Sequence, residues 1–332
     1  MPRLPRRARA AGTVLLGVCF GAGAWTAARP RSVAPPPSRA ATAPNATHAP
    51  LWRVDAALSA RLRGSLALGL DTLDAALARM ARAERPAARR VAYHEARFAY
   101  KRVEGALAYF APPVALALDG TEAEEGDDNP DAGRVVTHGF PRIEPAIFGA
   151  SDGVGHGDAV AAEVARMRLA VARYRATLPY FAVADAQLLD VARLELARVS
   201  TLGIAGVDAG PAGTAIRDAA AAVDGVRAVV NAVASVAGVP AADARVAEAR
   251  LADAAAYLRA HPDFDAFDRF AFVTAHANPA FAALATVAAR VPAPDVPLRL
   301  AWPRGVASVY DVRAFDPMAF AAADAPRPSA AW

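Results

Sequence analysis

The sequence predicts an all-α protein, an antiparallel bundle of helices joined by short connections. Three observations predict it. The 332 residues include roughly 90 alanines, and alanine is the strongest intrinsic helix former. Apolar residues recur at spacings of three and four. No run alternates with the period of two that a half-buried strand needs, and no fixed-length repeat is visible.

The first body helix spans residues 51 to 83. Leu58, Leu62, Leu66, Leu70, Leu73 and Leu77 form one apolar face along it. Pro86 separates it from a second helix over 87 to 110, which Pro112-Pro113 stops. Residues 119 to 134 read as an acidic loop, and a short segment follows from Val135 to Phe148. Asp158 to Thr177 is a helix with Val160, Val164, Met167, Val171 and Tyr174 on one side. Asp185 to Leu202 has an N-cap residue at its start and Gly203 after its end. Helices over 214 to 237, 241 to 260 and 264 to 291 complete the set. The proline-rich stretch after Val291 wraps the surface, and residues 321 to 332 read as a disordered tail.

Charge and cysteine content exclude several classes. The net charge is +4, with 37 basic and 33 acidic side chains. Arg3, Arg6, Arg7 and Arg9 precede the first apolar run, and without residues 1 to 28 the two signs balance. The basic pI of about 9.6 therefore does not indicate a nucleic-acid partner. Cys19 is the single cysteine, which excludes a disulfide scaffold, a zinc ribbon and a c-type haem site.

Residues 1 to 28 read as an export segment. Four arginines are followed by the uncharged run Ala10 to Ala28, and Thr26 and Ala28 give the small-x-small pattern of a cleavage site. The run is also long enough for an N-terminal membrane anchor over residues 10–28. Either reading places the body outside the cytoplasm, in the periplasm or beyond; in the anchor reading the arginines stay inside. Residues 29 to 50 hold six prolines and form an extended linker.

Three groups of residues carry possible chemistry. On the second helix His94, Arg97, Lys101 and Glu104 recur at three, four and three, so they share a face. Lys101 is the only lysine, against 36 arginines. Such a face is either solvated or a buried ionic ladder whose members must pair. Glu144 sits among Phe140, Ile143, Ile147 and Phe148, company that buries a carboxylate and demands a partner. The acidic run Asp119, Glu122, Glu124, Glu125, Asp127, Asp128 and Asp131 lacks calcium-loop spacing. It is a solvated loop or a docking patch for a basic partner such as a small cytochrome. No H-E-x-x-H, phosphate loop or G-x-S-x-G elbow occurs.

The run from Glu95-Ala96-Arg97 to Tyr109-Phe110 resembles a recurring E-A-R-x-A-Y-K-R-x-E…Y-F segment. Further matches follow in order: Gly139-Phe140…Ile143-Glu144…Ile147-Phe148, then Arg198-Val199-Ser200-Thr201-Leu202-Gly203-Ile204…Asp208. Tyr257-Leu258…Pro262-Asp263-Phe264, Asn278-Pro279 and Ser308-Val309-Tyr310-Asp311 continue the series. Together they resemble the helical N-terminal region of bacterial di-haem cytochrome c peroxidase-like (MauG-type) proteins, which is similar to imelysin.

The resemblance covers residues 51 to 320 and implies an imelysin-like helical domain. It also implies a polar network or ligand site at the matched positions Glu95, Arg97, Lys101, Arg102, Glu104, Glu144, Arg198, Thr201 and Asp208. The two C-x-x-C-H haem sites of the peroxidases are lacking here, so no peroxidase activity and no catalytic residue carry over. Imelysin's G-x-H-x-x-E motif is incomplete, because Pro141 stands at the histidine position and His138 lies just outside.

The expected function is that of a non-enzymatic exported protein. It would partner a di-haem cytochrome c peroxidase or small cytochrome, or take part in periplasmic iron or redox handling. No cofactor is expected within the chain. The alternative is a metal-binding protein of the iron-uptake type, with His94, Glu104, His138 and Glu144 as oxygen and nitrogen ligands for iron, zinc or copper. A metallopeptidase is a more distant alternative.

Overall fold

Alanine content and apolar spacing of three and four produce a mostly helical chain in the computed structural model. The structure describes residues 56–122, 136–149, 157–181, 183, 185–207, 210–233, 239–291 and 306–311. The export segment, the linker, the terminal tail and the acidic run from 123 onward lie outside the described residues. All described residues belong to one unit, Ala49–Trp332.

Helix α1, Ala56–Arg82, carries the leucine face read from the sequence, and all six leucines are buried. Two apolar clusters share it. Leu66, Leu70, Leu73 and Leu77 join the first, with α2 (Pro86–Lys101), α3 (Glu104–Phe110), α4 (Pro112–Asp119), α5 (Phe140–Phe148) and α6 (Gly157–Thr177). Leu58 and Leu62 join the second, with α7 (Asp185–Arg198), α8 (Ala215–Val233) and α9 (Ala241–Ala260). After the short, unburied α10 (Arg269–Ala271), the second cluster also takes in Phe272 and Ala277 from a wider turn over Phe272–Ala277, and then α11 (Asn278–Arg290). Val306 and Val309 pack against this second cluster.

Three elements depart from the sequence reading. The helix expected over 87–110 breaks at Arg102–Val103, where the Val103 N–H donates to the Tyr100 carbonyl at 2.9 Å. The break falls where α8 comes closest. A Cβ on Gly225 would lie 2.2 Å from the Arg102 carbonyl oxygen, so only glycine fits there. Pro112-Pro113 ends one helix and also begins α4, because proline suits the first helical turn, whose N–H groups have no partner. The helix expected from 264 starts only at Arg269, with the Asp268 carboxylate accepting from the Ala271 N–H at 2.8 Å.

Among the described residues the one extended pairing is two residues long, Thr121–Glu122 (β1) against Val136–Thr137 (β2), antiparallel. It closes the loop between α4 and α5. Gly139 then enters α5 at φ 64°, and a Cβ there would collide with the Leu118 carbonyl. The glycine of the Gly139-Phe140…Glu144 motif is thus required by the backbone. The stretch Arg269–Arg290 is long and apolar enough to cross a membrane by length and composition. Here Phe272, Ala280, Phe281 and Leu284 lie in the core.

Candidate functional site

The seam between the two apolar clusters is filled with charge. Helix α2 supplies Arg97 and Lys101 from one face, as the spacing of four requires. The turn into α3 returns Glu104 to the same side, and α4 ends on Asp119. From the other cluster α7 brings Glu195 and Arg198, and α8 brings Asp218. Apart from Arg198, which is partly exposed, these side chains are 5 % exposed or less.

Arg97 is the hub. Its Nη1 donates to Asp119 Oδ1 at 2.5 Å and its Nε to Asp218 Oδ2 at 3.0 Å. Lys101 Nζ lies 2.9 Å from Glu104 and 3.5 Å from Asp119 Oδ2. Arg198 Nη2 donates to Glu104 Oε1 at 2.8 Å, and the Tyr100 hydroxyl approaches the same oxygen at 3.5 Å. Thr214 Oγ1 donates to Asp218 Oδ2 at 3.1 Å. Asp218 Oδ1 is buried with no partner among the described residues.

These contacts set the protonation states. Burial opposes the charge on Arg97, but Asp119 and Asp218 outweigh it and hold its pKa well above the ordinary value. Burial raises the Asp218 carboxyl above the ordinary 3.8, against the pull of Arg97 and Lys101. Burial raises Tyr100 as well, helped by Glu104 and Asp119. Beside the network, Lys101, Glu104, Glu195, Arg198 and Asp218 line a cavity of about 20 Å³, room for one water.

Of the residues the sequence singles out, Arg97, Lys101, Glu104 and Arg198 meet in this network. The others do not join it. Glu144 is buried as expected, yet its Oε1 accepts from the Ala212 N–H at 2.7 Å, and it forms no ion pair with a described residue. Glu95 lies on the opposite, exposed side of α2 and pairs with Arg79 at 2.9 Å. Arg102 sits at the surface with Asp224 at 3.9 Å. The Thr201 hydroxyl donates back to the Ala197 carbonyl at 2.8 Å. Asp208 lies outside the described residues.

The proposed metal ligands are scattered. His94 packs among Tyr93, Phe98 and Phe148, with burial and then Arg217 lowering its pKa. The rest of α2 and the break at Arg102–Val103 separate it from Glu104. His138 donates its backbone N–H to the Gly120 carbonyl at 2.9 Å, beside the two-stranded pairing. Among the described residues no three of His, Cys, Asp and Glu are grouped to hold a metal ion.

Sequence reasoning missed Asp119, Glu195 and Asp218. Asp119 reads as the first acid of a solvated loop, whereas it is the buried end of α4. Asp218 stands directly before four alanines, Ala219 to Ala222, and an acid on that apolar side of the helix was the available signal. A further buried acid, Glu163 on α6, accepts from the Gly139 N–H at 2.8 Å and pairs with Arg142 and Arg166. It fixes the entry to α5. No family model and no curated protein matches the chain.

Proposed function

We propose that this chain is an exported, non-enzymatic protein with an imelysin-like antiparallel bundle. In this reading it works beside a di-haem cytochrome c peroxidase-like protein or a small cytochrome, or in periplasmic iron or redox handling. One observation carries the reading. Lys101 and Glu104 come from one motif segment and Arg198 from another, and Lys101 and Arg198 both pair with the buried Glu104 carboxylate. Residues matched over separate segments thus act as one structural unit, which favours the resemblance over chance agreement.

The charge pattern supports a non-catalytic role. Glu104 and Asp119 are already held by fixed cations, so neither is a free base or an open ligand. A metal at Glu104 would have to displace Lys101 and Arg198. The chemistry is accordingly assigned to a partner.

Co-purification from the native host tests this. Untagged chain, cross-linked mildly at low salt, is expected to retain a haem protein carrying two C-x-x-C-H motifs. Recovery of the chain with one equivalent of tightly held iron, zinc or copper and no haem partner would instead establish the metal-binding alternative.

A further inference from the structure

Helices α1, α2, α3 and α8 enclose a surface groove of about 240 Å³. Leu66, Val103 and Val229 give it apolar walls, and the small side chain of Ala106 keeps it open. A buried cavity of about 150 Å³ accommodates benzene, so this volume suits a benzene ring plus a few more carbons. The groove is smaller than a typical drug-sized site.

Two residues lining the groove are charged. Arg102 and Asp224 stand there with 3.9 Å between them, too far for a hydrogen bond. Asp224 is already taken: its Oδ2 accepts from Arg259 at 2.5 Å, and its Oδ1 lies 3.4 Å from Arg227. Arg227 is shared with Glu248 at 2.6 Å. Three guanidinium groups thus face two carboxylates, a surplus of one positive charge. Among the described residues the Arg102 side chain makes no hydrogen bond, and it is half exposed while lining the groove. Its planar fork matches the two oxygens of a carboxylate.

We propose that this groove binds a small amphipathic anion, an apolar body of ring size with one carboxylate, and that Arg102 is its counter-ion. The closeness of α8 to α2 at Gly225 sets the geometry, because it holds Asp224 beside Arg102 without letting the two pair fully. The apolar walls bind the body, and the Arg102 guanidinium, only loosely paired with Asp224, selects the anion over a neutral molecule of the same shape.

Calorimetric titration of the full chain with hydrocinnamate and with hydrocinnamyl alcohol tests this. The acid is expected to bind about tenfold more tightly than the alcohol, in line with a charge-assisted hydrogen bond. Arg102→Gln is expected to erase that preference while leaving the alcohol's binding in place. Ala228→Phe, at an exposed position lining the groove, is expected to abolish binding of both. Thermal unfolding followed by circular dichroism checks that each variant folds. Failure of both ligands to bind the wild type, equal binding of the two, or an undiminished preference in R102Q would each overturn the proposal.

Discussion

Arg97→Met removes one cation from between two buried acids. Arg97 is 1 % exposed, and it is bonded to Asp119 at 2.5 Å and Asp218 at 3.0 Å. Methionine keeps much of the volume, so the packing loss is small and the effect is electrostatic. Removing one partner of a buried ion pair costs about 3–5 kcal/mol, because the remaining charge stays buried without compensation. Lys101, 3.5 Å from Asp119, offsets part of that on one side only. Asp218 keeps Thr214 as a donor and loses its one ion-pair partner among the described residues. For a body of this size the cost corresponds to a fall of about 6 to 20 °C in the unfolding midpoint. Urea unfolding at pH 7, followed by far-ultraviolet circular dichroism, measures it. The cost should shrink as the pH falls, because burial raises the Asp218 carboxyl and a protonated Asp218 no longer needs the guanidinium. A loss below about 1 kcal/mol, or one that does not change with pH, would refute the view that Arg97 neutralises these acids.

Three further outcomes are expected. Asp218 has a folded-state pKa above the ordinary 3.8, so it binds its proton more tightly folded than unfolded. Its contribution to stability is therefore full below 3.8 and is lost as the pH rises through the folded value, and Asp218→Asn should gain on the wild type over that rise. His94 is shifted the other way, below the ordinary 6.5, so its contribution is full above 6.5 and is lost as the pH falls through the folded value. His94→Phe, replacing a ring whose buried Nδ1 lacks a partner among the described residues, should flatten the decline of stability below pH 6.5 in denaturant titrations. Gly225→Ala should cost about 1–3 kcal/mol, since the new methyl meets a backbone carbonyl that cannot rotate away; an unchanged melting temperature would contradict that approach.

What the sequence disclosed follows from the range of each interaction. The α1 leucines and the shared face of Arg97 and Lys101 depend only on helical period, and both were legible. Burial of Glu144 was legible from its apolar neighbours, but its partner is a backbone N–H at residue 212, which no side-chain pattern encodes. Asp119 was hidden by the acids that follow it. Asp218 lies 121 residues from Arg97, and only packing of α2 on α8 joins them. At the wider turn over Val199–Gly203 the Ser200 and Thr201 hydroxyls donate back to the carbonyls four residues earlier, a local bond that the helical period does not disclose.

The location of the network explains why so apolar a protein keeps so many buried charges. Helix α8 presents Ala215, Ala219, Ala220, Ala221 and Ala222 as buried positions, and α9 adds Ala244, Ala247, Ala254 and Ala255. Methyl groups present a nearly smooth surface, so many sliding positions of one helix on another bury almost equal area. Apolar contact then supplies stability but little register. Arg97 can meet Asp119 and Asp218 together only when α2, α4 and α8 are correctly aligned, and Glu104 can meet Lys101 and Arg198 only when α3 and α7 are aligned as well. A shift of one helical turn, about 5.4 Å, between the clusters would part Arg97 from Asp218 and Arg198 from Glu104. The charges thus select one alignment of the two clusters, and that alignment also fixes the groove beside Arg102.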